Sequence, residues 1–141
     1  TERRFVALPA GHALADRQWV DFGDLIGEPF LRLPASSGVM ADFWLALDQR
    51  GGQAPVIGGE VTTTEETVEA VSSGAGVVLV AEGNVPLVAR NGIIALPVPY
   101  LPPAVLVLAW RRADRRPLVD TFRACVQAAI ASTPTVPQPT L

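Results

Sequence analysis

Apolar residues in this chain come in two arrangements: short unbroken runs, and longer stretches in which they recur at helical spacing. "RFVALPA" (residues 4–10) is almost wholly apolar and runs into Pro9 and Gly11, which predicts a buried strand. In "VDFGDLIG", Asp21 is placed to cap one helical turn through Leu25, with Gly27 ending it. "PFLRLP" (29–34) predicts a second short strand. In "SSGVMADFWLALDQRGG", Met40, Phe43, Trp44 and Leu47 stand at i, i+3, i+4 and i+7, which defines one apolar helix face. Ser37 is the expected N-cap and Gly51 the expected stop. "PVIGGEV" (55–61) predicts a strand whose internal glycines signal a bulge or a close approach by something else.

Three consecutive threonines, Thr62 to Thr64, open the next element. With Thr63 as N-cap, Glu66 becomes its N3 partner in a capping box. The helix then runs over about 64–73, with Val68 and Val71 facing inward and Gly74 at its end. "GVVLVA" (76–81), "GIIALPVP" (92–99) and "AVLVLAWR" (104–111) predict three further strands. Pro117 suits the first turn of a last helix, whose period is kept by Leu118, Thr121, Phe122, Cys125 and Ala129. Residues 132–141 are rich in proline and predict a disordered tail. The central βαβαβ alternation implies an α/β fold with parallel strands, whose ligands bind beyond the strands' carboxyl ends.

Composition narrows the field. The chain has 141 residues, 49% of them hydrophobic, enough for one domain with a core. No apolar run approaches the ~20 residues of a membrane span, so no membrane partner is expected. All 11 basic residues are arginines, and the net charge is −3. That balance argues against direct contact of this stretch with DNA. One cysteine and one histidine leave neither a disulfide nor a Cys/His zinc cluster to expect.

The candidate chemistry lies at the ends of strands. "GAG" (74–76) closes a helix and opens a strand, the reverse of a dinucleotide-binding loop, and predicts a tight turn. "PASSG" (34–38) lacks the first glycine of a nucleophile elbow, and His12 lies in a loop, so no enzyme is expected. Glu65, Glu66 and Glu69 form a solvated helix face. Arg32, within an apolar strand, is either an edge residue reaching solvent or an anion partner in a cleft. Two helix starts remain, Ser36/Ser37 and Thr62/Thr63/Thr64. Capping uses one hydroxyl at each, and the others suit a ligand pocket. Glu65 and Glu66 already answer the dipole of the threonine helix by about 0.3–1 kcal/mol apiece. The serine helix, opening Gly38-Val39-Met40-Ala41, shows no acid in its first turn and is the expected anion seat. The threonines are expected to bond the ligand's uncharged polar part.

"FVALPAGHALADR", "DLIGEPFLRLP", "EVTTTEETVEAVSSGAGVVLVAEG" and "PLVDTFRAC", in this order, resemble the effector-binding region of LysR-type transcriptional regulators over roughly residues 3–131. Ala13 and Ala81 stand where that family usually has proline. The resemblance implies a type II periplasmic-binding-protein-like fold of two α/β lobes joined by crossover strands. Residues 1–131 would be part of an effector-binding domain: lobe two over about 12–103, crossovers over about 4–10 and 104–111, and a first-lobe helix over about 117–131. Most of the first lobe and the winged helix-turn-helix that contacts DNA would fall outside the chain. The resemblance further implies a bacterial, cytoplasmic protein that needs no cofactor, binds a small effector between its lobes and self-associates. Positions matching the cleft are Ser36, Ser37, Thr62 to Thr64, the hinge Pro9 to Gly11, and the loop Ala81, Glu82 and Gly83. One lobe of a solute-binding protein for transport would share the fold.

Overall fold

In the computed structural model, which describes residues 1–132, β1 (Arg4–Pro9) lies between β4 (Val78–Ala81) and β5 (Ile93–Pro97) and runs antiparallel to both. β2 (Pro29–Arg32) and β3 (Val56–Glu60) form a parallel pair. A parallel bridge from Phe30 to Val77 links the two groups. β2, β3, β4 and β5 therefore share one direction, as the βαβαβ pattern predicts, and β1 is the exception. Both faces of β1 are covered, which is why its sequence does not alternate. Val6 and Leu8 pack with Phe22, Leu25, Phe30 and Leu79 on one side. Ala7 packs with Leu31, Val68, Val71 and Val80 on the other.

The glycine-bearing strand is bulged. Phe30 pairs with Ile57 and Leu31 with Gly59, so Gly58 is the extra residue. The "GAG" stretch forms the tight turn from α2 (Thr64–Ser72) into β4, with Gly74 at φ +78°.

The first helix departs from expectation. α1 spans only Val39–Trp44, and its N-cap is Gly38, at φ +52°, with no side-chain cap bond. Ser37 instead closes a 3-10 turn over Ala35–Ser37. Because the helix starts later than Ser37 would dictate, Asp42 falls in its first turn. The buried positions are Ala41, Leu45 and Ala46, whereas Met40 and Leu47 are exposed. Ala46 enters the left-handed region at φ 50° and ends the helical path well before Gly51. A 3-10 turn, Glu82–Asn84, falls in the loop expected after β4, and a short helix, α3 (Val85–Val88), follows where no element is predicted.

By contacts the chain divides into a unit of Thr1–Leu106 and a unit from Val107 onward. The strand expected over 104–111 is not formed. Ala104 alone bridges to Glu2, and Val105 to Val107 are exposed. An apolar run becomes a strand only beside a neighbour that takes its N–H and C=O groups, and among the described residues none does so beyond Ala104. The second unit contains α4 (Pro117–Ser132). Within it, the Arg123 guanidinium lies 4.3 Å from the Trp110 ring centre. The expected tail lies, past Ser132, outside the described residues.

Candidate functional site

The start of α2 shows what the three threonines do. Thr63 caps the helix, its hydroxyl accepting from the Glu66 amide at 3.1 Å. One oxygen of Glu66, Oε2, accepts in return from the Thr63 amide at 3.2 Å, and from the Thr62 amide and hydroxyl at 2.7 Å each. Thr62 thus extends the capping box and Thr63 forms it. Thr64, half-buried, is the threonine whose hydroxyl has no partner among the described residues. The Thr62 hydroxyl foremost, then the Thr62 and Thr63 amides, hold the Glu66 carboxyl below its ordinary 4.5. With the folded value lowered, the unfolded chain takes up the proton first. The stabilisation is therefore complete above the ordinary carboxylate range and lost as pH falls through the folded value. On acidification the Thr62 and Thr63 amide resonances are expected to titrate together with a midpoint below 4.5. A midpoint at or above that value would contradict the capping geometry.

All three threonines line a cavity of about 260 Å³. Leu31, Trp44, Val61, Leu79 and Val88 make up most of its apolar lining, while Arg32, Thr67 and Asn84 add polar groups. It opens where β2 and β3 end and α2 begins. Its size is just below the roughly 300–1,000 Å³ of drug-sized pockets, which suits a small molecule. Arg32 is the one charged residue in the lining. Its guanidinium is half-exposed and pairs with Glu60, Nη2 lying 3.1 Å from Oε2. Arg32 thus reaches solvent and also lines the cavity.

The other expected positions lie elsewhere. Ser36 is exposed and Ser37 half-buried on the turn after β2, and neither lines the cavity. Asp42 stands in the first turn of α1, so the acid-free start expected of the serine helix is not found. Pro9 ends β1 and Gly11 is an exposed turn residue. Ala81 ends β4 in the core. Glu82 pairs with Arg3, whose guanidinium holds the Glu82 carboxyl below the usual range. Gly83 packs beside Glu2, leaving 3.0 Å for an added Cβ. Trp44, Thr67 and Asn84 line the cavity without being among the expected site residues. Trp44 had been assigned to a buried helix face, and Asn84 stood in a turn with no hydrophobic period to mark it.

His12 is a turn residue, as expected. Its Nδ1 accepts from the Leu14 amide at 3.2 Å, and Nε2 lies 3.4 Å from Glu28 Oε2. Among the described residues no three His, Cys, Asp or Glu side chains gather as a metal site requires. No described helix is long and apolar enough to cross a membrane.

A family model described as the LysR substrate binding domain matches residues 1–131. No curated protein matches the chain. Solved structures do. HinK, a LysR family transcriptional regulator from Pseudomonas aeruginosa, is 20% identical with a TM-score of 0.68, over 92% of this chain and 45% of HinK. The BenM effector-binding domain, solved with its effector benzoate, is 21% identical with a TM-score of 0.68, over 94% of this chain and 63% of that one. The effector-binding domain of QuiR in complex with shikimate is 19% identical with a TM-score of 0.58, over 72% and 47%. At these identities the likeness concerns the fold, which is the type II periplasmic-binding-protein-like α/β arrangement. The chain spans less than two thirds of the length of each of these structures.

Proposed function

The chain belongs to the LysR substrate-binding domain family, and from that premise we propose that it is the ligand-sensing part of a bacterial LysR-type transcriptional regulator. Residues of about 12–103 act as lobe two of the effector domain, and the helix of about 117–131 belongs to lobe one. The effector is a small anion. Its uncharged polar part bonds Thr64 and Asn84, its apolar body lies on Leu31, Trp44 and Leu79, and its anionic group faces Arg32. Arg32 carries the anion, while Ser36 and Ser37, four and five residues past it and outside the cavity, border the interlobe cleft with Pro9, Gly11 and the Ala81–Gly83 turn. DNA is contacted through a helix-turn-helix domain of the whole protein. The effector acts by binding one arrangement of the DNA-bound oligomer better than another, since equal affinity would shift nothing. The exposed apolar residues Val105, Leu106 and Trp110 favour self-association.

One observation carries this reading: a cavity with an apolar lining, bearing hydroxyls and a single cation, at the carboxyl ends of β2 and β3. Benzoate and shikimate, which the BenM and QuiR structures hold, are both carboxylates. Calorimetric titration with paired small carboxylates and their amides, beginning with benzoate and benzamide, tests it. The carboxylate is expected to bind about 10-fold tighter, consistent with one charge-assisted hydrogen bond. Arg32→Gln should remove that preference, and Thr64→Val should weaken both members of the pair by about 5-fold. A preference that survives Arg32→Gln would place the anion elsewhere. Equal loss of both ligands in Ser37→Ala would mean the serine turn holds no charge.

A further inference from the structure

We propose that Glu60 is a resident counter-ion of the effector seat: a carboxylate of the protein itself that an anionic effector must displace from Arg32. This rests on the reading that the cavity takes a small anion. Strand register creates the pair, because β2 and β3 run parallel with Arg32 directly beside Glu60. Two nitrogens of Arg32, Nε at 3.2 Å and Nη2 at 3.1 Å, both engage the same oxygen, Glu60 Oε2. A fork that meets two carboxylate oxygens is the strong geometry, and this pair does not use it. Among the described residues no other ion pair has a member lining the cavity.

The arrangement has a consequence for recognition. In the free protein Glu60 occupies the one cation available to the ligand, so any carboxylate competes with an internal one already in place. Both side chains are nearly half-exposed, at 43% and 46%, so the internal pair is weak and can be exchanged. Its effect is to raise the concentration at which an anion is registered, while neutral molecules of the same shape are unaffected. Glu60 is thereby a residue that sets the threshold for sensing, acting through Arg32 rather than by touching the effector.

Glu60→Gln keeps the side chain's size and removes its charge, and its thermal unfolding midpoint verifies that it folds. Titrated with the same carboxylates and amides, it is expected to bind the carboxylates roughly 2- to 5-fold tighter than the parent protein, the range an exposed ion pair allows. Amide affinity is expected not to change. The gain should shrink in about 1 M salt, where exposed charges are screened within ~3 Å. Unchanged or weaker carboxylate binding, or an equal gain for the amides, would overturn the proposal while leaving the effector cavity standing. If no carboxylate binds to either protein, the cavity reading falls together with it.

Discussion

Gly58→Ala is expected to cost about 3 kcal/mol or more of folding stability, at the upper end of what overpacking does. A Cβ built on Gly58 overlaps the carbonyl oxygen of Ala75 and comes within 3.1 Å of the Pro29 side chain. The obstacle is backbone, so it cannot rotate away as a flexible side chain would. Gly58 is also the bulged residue against β2, and Ala75 belongs to the turn whose neighbour Gly76 sits against Pro29. Relieving the overlap would push that turn off the strand pair and disturb the edge from which the threonine helix starts. Gly27→Ala serves as the control, because nothing lies within 4 Å of its added Cβ; a change within about 0.5 kcal/mol is expected there. Urea unfolding of the two variants measures the difference. Equal midpoints would mean that the turn yields without cost and that Gly58 serves chain flexibility alone.

The second large effect is expected at Arg4, which is 1% exposed inside the sheet unit. Its Nη2 donates to the Phe43 carbonyl at 2.7 Å, and its guanidinium lies 4.2 Å from the centre of the Phe43 ring and 5.7 Å from that of Trp44. Phe43 lies in the last turn of α1, and its carbonyl also accepts from the Ala46 amide at 3.0 Å. Burial pushes the guanidinium down to about 10, and its Nε has no partner, so the charge is held at a cost. Arg4→Ala should lose about 3 kcal/mol, through the space it empties and the hydrogen bond and ring contacts it removes. Arg4→Met should lose only about 1 kcal/mol, because it keeps the volume and removes an unpaired buried charge. Chemical unfolding of both variants checks the ordering. If methionine were as damaging as alanine, the hydrogen bond and ring contacts would outweigh the packing.

These two residues also show where the sequence was and was not readable. The glycines of "PVIGGEV" announced a bulge and a close approach, and both occur at Gly58. The Thr63/Glu66 capping box, the Asp21 cap and the Gly74 stop were legible for a shared reason: each rests on contacts within a few residues. Arg4 opens the otherwise apolar run of β1. Its burial depends on α1 crossing it some 39 residues later, which no local pattern records. Arg50 is a parallel case, buried against the Phe22 and Phe30 rings while donating to the Leu45 and Ile26 carbonyls. The Leu45 bond satisfies a carbonyl where the helical path breaks, and so supports the early end of α1. The strand expected over 104–111 failed because an apolar run encodes a preference for pairing and not the partner. For the site, the threonines and Arg32 were visible as polar residues at strand ends. Trp44 and Asn84 became visible only once β2, β4 and α3 had brought them to the same cavity.

Amide-resolved NMR of the chain, titrated with benzoate and then with benzamide, tests most directly whether the threonine-lined cavity is where a small molecule is held. Saturable shifts clustered at Arg32, Thr62 to Thr64 and Asn84, stronger for the acid and reduced by Thr64→Val, are the result expected. Saturable shifts confined to residues from Val107 onward, or no saturable shift with either compound, would contradict it.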